Sequence, residues 1–133
     1  MNVQAVNAML VGLLARIGTA GAMKFFSGTK PVEGGGETTR LATVVLAETA
    51  GVVDSGRVTL TPRDAFVLAE ATGVPTWGRL ETTDGMWVWD FTVSGQSGSG
   101  QVKVTVVDPT PGDPEGKLYQ GGKFFLTRAN LGE

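Results

Sequence analysis

Three acids, Asp108, Asp113 and Glu115, stand close together in a stretch that also holds Pro109, Pro111 and Pro114. Carboxylate oxygens are calcium ligands, but this spacing is not that of the EF-hand loop, and the prolines account for the stretch as a rigid connector. Gly28-Thr29-Lys30 has the residue types that end a phosphate loop. That loop needs a glycine five positions before its last one, a lysine directly after it, and then serine or threonine. Here position 23 is Met, Thr29 intervenes before Lys30, and Pro31 follows, so the pattern fails. Glu81, Asp84 and Asp90 offer carboxylates for glycosidase-type chemistry, but the register below gives Asp90 to Arg79. Trp77, Trp87 and Trp89 have faces on which sugars or bases stack. Trp77 is expected on the opposite face from the other two, which argues against one platform and for core packing. The chain has no His and no Cys. This removes the usual general base, the Ser-His-Asp triad, the thiolate nucleophile and thiolate zinc sites. An enzyme would have to work with Asp, Glu, Lys, Arg, Ser, Thr and Tyr119, converging in a deep pocket. The expectation is a non-enzyme with no catalytic residues, no cofactor and no metal.

The elements that carry these residues follow from composition. Of 133 residues, 18% are charged, against roughly 25% in an average globular protein. Gly 20 and Pro 6 add many turn residues, which suits compact β architecture. The net charge of -2 and a pI near 5.1 come with no basic stripe, so nucleic acid is not an expected partner. The apolar run from Met9 to Ala15 ends at Arg16 and falls short of the about 20 residues of a membrane span, so no membrane partner is expected. Ala20-Gly21-Ala22 imitates a signal cleavage site, but Asn2, Val3 and Gln4 supply no positive leader, and an intracellular origin is expected.

Within residues 1–18 the spacing predicts a helix over 2–17. Val3, Val6, Leu10, Leu13, Leu14 and Ile17 form one stripe, Asn2 caps the start and Gly18 ends it. Val6, Leu10, Leu13, Leu14 and Ile17 could pack on the chain's own sheet or dock on a neighbouring subunit. They are the candidate interaction residues. Strands are expected at Met23–Ser27, Leu41–Ala47, Arg57–Thr61 and Gln101–Val106, with a last strand or pair over Leu118–Thr127 turning at Gly121-Gly122. Residues 28–37 read as a flexible loop. Residues 61–72 stay open between a short helix begun at Thr61-Pro62 and an irregular excursion. Asp84-Gly85 predicts a two-residue type I′ hairpin. Thr82 then faces Trp87, Leu80 faces Trp89, Gly78 faces Phe91, and Arg79 meets Asp90 on the other face, in a pair worth about 0.2–1 kcal/mol. The loops 94–100 and 109–114 are turn-rich connectors. The expected fold is mainly β: a single domain, residues 1–133, with a helix at 1–18 and an antiparallel β-sandwich at 22–133.

Three segments in order add a resemblance. They are Lys24-Phe25-Phe26-Ser27-Gly28-Thr29-Lys30-Pro31, Glu37-Thr38-Thr39-Arg40-Leu41-Ala42-Thr43, and Ala71-Thr72-Gly73 with Thr76-Trp77-Gly78-Arg79 and Asp84-Gly85. Over residues 1–93 the chain resembles small structural virion proteins of tailed bacteriophages. The C-terminal part, with Phe124-Phe125-Leu126, departs from that pattern. The resemblance implies a capsid decoration protein that binds the major capsid protein and self-associates as a small oligomer, located in the virion. A tail, neck or baseplate component that contacts host surface sugars is the alternative. A decoration protein is expected to bury Trp87 and Trp89, and a sugar-binding tail component to expose a Trp cluster. The helix and exposed edge strands are the expected contact surfaces.

Overall fold

The helical spacing of the N-terminus forms α1, Val3–Ile17. Gly18, at φ 87°, stops it in the left-handed conformation that glycine adopts without penalty. The computed structural model describes residues 3–32 and 34–132, with the main chain alone at residues 128 and 130–132. The expected cap, Asn2, lies outside the described residues. Val6, Leu10 and Ile17 are buried against the chain's own strands, and Leu13 and Leu14 pack beside them. The apolar stripe therefore faces this chain's core.

After α1 come β1 (Ala22–Ser27), β2 (Thr39–Asp54), β3 (Arg57–Pro62), β4 (Val67–Leu68), β5 (Trp77–Glu81), β6 (Trp87–Gly95), β7 (Val102–Val106) and β8 (Lys123–Gly132). They build one strongly curled mixed sheet in the order β3-β2-β1-β5-β6-β7-β8-β4, and β3 also pairs with β8. The molecule is mainly β with one N-terminal helix, as expected. The purely antiparallel sandwich is corrected, because β6 and β7 run parallel, with Val93 beside Val102 and Gly95 beside Val104. Parallel neighbours normally need a long crossover. Here the loop 96–101 doubles back on β6 instead. The Gly100 N–H donates to Ser94 Oγ, and Gln101 and Thr92 exchange two bonds. A Cβ on Gly100 would lie 2.5 Å from the Ser94 nitrogen, so only glycine permits this approach. The expected free edges for strand addition are also reduced, since β3 and β8 join the ends of the curl and leave the two-residue β4 as the terminal strand.

The curl depends on long strands that serve two ladders. β2 has 16 residues; it pairs with β1 through Thr39–Val45 and with β3 through Gly51–Asp54, with a register shift between Leu46 and Gly51. Its far end turns through Ser55 and Gly56, both at positive φ (52° and 78°), the conformation of a two-residue I′ hairpin. The Gly56 N–H donates to Asn7 Oδ1 at 2.7 Å, fastening this turn to α1. Asn7→Ala should cost about 1 kcal/mol, read as a lower urea midpoint at unchanged slope. No loss would mean that water replaces the amide there. Residues 61–72 contain no helix: they run along β2, with Arg63 and Glu70 donating to the carbonyls of Val45 and Leu41, and contribute β4.

Inside the curl, Phe25 meets Phe91 and Phe124 edge to face, at ring distances of 5.9 and 6.0 Å. Met23, Leu41, Leu46, Leu80 and Leu118 complete the fully buried layer.

Candidate functional site

The hairpin register decides which aromatic residues reach the surface. Gly78 faces Phe91, Arg79 faces Asp90 and Leu80 faces Trp89, as the sequence predicts. The turn differs. The Gly85 N–H bonds the Thr82 carbonyl, Thr82 bonds Met86, and only Gly85 has positive φ (82°). This is a three-residue loop closed by a left-handed glycine, not a type I′ pair. The register is therefore one residue off near the turn, and a bulge between Leu80 and Glu81 repairs it, placing Trp87 opposite Glu81. Val88 and Trp89 both pack on the core, and Trp87 is turned to the outer face. The expected Thr82–Trp87 core pair is thus corrected, and Trp87 is 46% exposed.

That outer face carries a second, separate cluster. Alternation along β1 points Phe26 to the face opposite Phe25, where it stacks on its β5 partner Trp77 at 4.3 Å. Both are fully buried although they lie outside the main core cluster. Trp77 Nε1–H donates to Thr38 Oγ1 at 2.9 Å, and the Thr38 hydroxyl to the Ser27 carbonyl. The Thr76 hydroxyl donates to the Gly28 carbonyl. These bonds tie down both ends of the 28–38 loop.

Arg79 and Asp90 hold its middle. Arg79 Nε and Nη2 donate to the two Asp90 oxygens at 2.7 and 3.1 Å, and Nη2 also reaches the Gly35 carbonyl at 2.7 Å. Asp90 further accepts from the Gly34 N–H and from Trp87 Nε1–H, both at 3.0 Å. The guanidinium lies over the Trp77 ring. Burial pushes Asp90 up, but the Arg79 bonds, the Gly34 amide and the Trp87 indole outweigh it and hold the carboxyl below its ordinary value. Arg79 is raised, chiefly by its bond to Asp90. The glycine triplet, read as a flexible loop, is therefore fastened through Gly34 and Gly35. Next to this pair, Lys24 meets Glu81 at 3.0 Å.

The other candidate groups are dispersed. Asp84 sits on the hairpin turn, Glu81 is paired with Lys24, and Asp90 with Arg79. Asp113 and Glu115 line a depression of about 190 Å³, while Asp108 lines another. Asp113 accepts from the Tyr119 hydroxyl and lies 4.0 Å from Lys117. Glu115 accepts from the N–H and hydroxyl of Ser97, which hold it below its ordinary value. Among the described residues no group of three His, Cys, Asp or Glu could hold a metal ion, and no helix is long and apolar enough to cross a membrane. Trp77 is buried, Trp89 partly buried and Trp87 half exposed, so the structure has neither the exposed Trp cluster expected of a sugar-binding component nor the buried Trp87 and Trp89 expected of a decoration protein. On α1 the large exposed apolar residues are Val3, Met9 and Val11; the stripe included Val3, which the structure leaves half exposed, and passed over Met9 and Val11, and the helix's single charge is Arg16. The weak charge of the sequence was the signal for this outer face.

No family of known proteins, no curated protein and no solved structure matches the chain significantly.

Proposed function

We propose that the protein is a structural virion component of a tailed bacteriophage, a capsid decoration protein that binds the major capsid protein on the head surface and acts as a small oligomer. One observation carries this reading. Of the segments that bear the sequence resemblance, the first two are neighbours in the chain and the third is distant from them, yet all but Asp84-Gly85 meet in one corner. Phe26 stacks on Trp77, Trp77 bonds Thr38, Thr76 bonds Gly28, and the Ala71 N–H bonds Leu41. Residues that build one corner together are a coherent signature of a fold, which isolated short matches are not. Decoration requires added buried area across capsomer joints, and no catalysis or cofactor. The exposed apolar residues of α1, with Arg16 as its single charge, suit such a contact. Imaging and quantitative mass spectrometry of particles from the encoding phage test the reading. Hundreds of copies on the head lattice are expected. Absence from particles would sink it.

A second reading, a tail, neck or baseplate component that contacts host sugars, is favoured by Trp87. Its ring is half exposed, with its indole N–H fixed on Asp90, and a held, open aromatic face suits stacking on a sugar. A few copies at one vertex, or rings along the tail, would select it.

A further inference from the structure

We propose that residues 34–36 form a latch that releases from the Arg79–Asp90 pair while the curled sheet stays folded. Among the described residues, the contacts of this segment with the outer face are few and all local. The Gly34 N–H donates to Asp90 Oδ2, the Gly35 carbonyl accepts from Arg79 Nη2, and the Gly34 α-carbon lies near the Trp87 ring. A Cβ built on Gly34 would sit 3.7 Å from three atoms of that indole. On the solvent side, a Cβ on Gly36 would meet nothing within 4 Å, and Val32 is 83% exposed.

Release strands no charge. Arg79 and Asp90 keep their two mutual bonds, and Asp90 keeps the Trp87 indole. Water reaches the two vacated positions, one donor on Arg79 and one acceptor oxygen on Asp90, so neither carries the cost of an unpaired buried group. The loop ends do not move with the middle, because Ser27, Gly28, Thr38, Thr76 and Trp77 are bonded among themselves. Three glycines in a row have more backbone freedom to regain on opening than any other sequence would. Opening bares a guanidinium N–H beside a carboxylate oxygen, together with the covered face of Trp87, all of which the closed form hides.

Amide hydrogen exchange on the full 15N-labelled chain, followed by NMR with and without low urea, tests the latch. In the wild type the Gly34 amide should exchange at least about tenfold faster than the slowest amides of β5 and β6, at a rate that low urea does not change. Arg79→Lys keeps a cation for Asp90 but not the forked donor set that also reaches Gly35. It should speed Gly34 exchange by a further factor of about ten, while the Thr76 amide, bonded to the Phe26 carbonyl, keeps its protection. A Gly34 amide that exchanges at the rate and with the urea dependence of β5 and β6 would overturn the proposal. So would equal losses at Gly34 and Thr76 in the variant, which would mean that the whole corner opens. Should Arg79→Lys not fold, the wild-type comparison decides alone.

Discussion

Asp90→Ala is expected to cost about 3–5 kcal/mol of folding stability, because it leaves a buried cation without its counter-charge. The cross-strand pairing is the one expected from sequence, but Arg79 is 6% exposed and Asp90 2% exposed, so its loss costs more than the about 0.2–1 kcal/mol of an ordinary cross-strand pair. The difference comes from the 28–38 loop, which covers the outer face and removes the pair from water. In the variant, Arg79 keeps only the Gly35 carbonyl and the face of Trp77, and Gly34 and Trp87 lose their acceptor. Arg79→Ala should be comparably damaging, and the double variant should fall short of the sum by about 1–3 kcal/mol. The pH dependence has a definite sign. The folded carboxyl titrates below its ordinary value of 3.8, so its stabilisation is fully present above that value and is lost as pH falls through the lower folded one. Urea titrations should therefore show a constant gap between wild type and Asp90→Ala from pH 7 down to about 5, closing below about 4. A gap under about 1 kcal/mol at pH 7 would mean that the pair behaves as a solvated surface pair.

The same residues show what could be read in the chain and what could not. The Arg79–Asp90, Gly78–Phe91 and Leu80–Trp89 pairings were legible because complementary charge and alternating apolar residues fix a register at period two. The bulge that turns Trp87 outward was not. It depends on Gly85 closing a three-residue loop, and Asp-Gly suits either turn. The I′ turn lies at Ser55-Gly56, a weaker dipeptide, and with it the far half of β2 went unread. The helix and its stripe were clear from spacing, but spacing cannot say whether a stripe meets its own sheet or a neighbour. The structure packs Val6, Leu10 and Ile17 on the chain's own strands and leaves Val3, Met9 and Val11 outside.

Long-range closure was the least legible feature. Nothing local announces that β3 will pair with β8, or that β7 will run parallel to β6. Both follow from tertiary geometry: β2 and β6 are long enough to bend and to serve two ladders each, and β8 serves three. The outer corner shares this origin. Strand alternation puts Phe25 and Phe26 on opposite faces of the sheet, but spacing alone does not show that the 28–38 loop will cover the outer ring. The candidate site thus exists because alternation puts Phe26 and Trp77 on the outer face, one bulge turns Trp87 to the same face, and a glycine loop then packs over them.

Phe25→Ala should remove about 3–5 kcal/mol of stability, the range for deleting a buried aromatic ring. Phe25 is fully buried on β1 and meets Phe91 of β6 and Phe124 of β8 edge to face, at interplanar angles of 74° and 87°. Each such ring pair adds about 0.5–1.5 kcal/mol beyond area alone, so truncating the shared member loses both at once. The location makes relaxation difficult. β1, β6 and β8 reach this point from different parts of the curl, and a collapse that filled the cavity would have to pull all three inward against their ladders. Phe66 offers a matched contrast. It also meets a ring edge to face, that of Phe125 at 5.9 Å, but it is 53% exposed. Phe66→Ala should therefore cost under about 1 kcal/mol, since surface substitutions change little. Urea midpoints of the two variants against wild type measure the difference. A Phe25→Ala loss no larger than that of Phe66→Ala would mean that the three-ring junction does not hold the curl together, and that the ladders alone do.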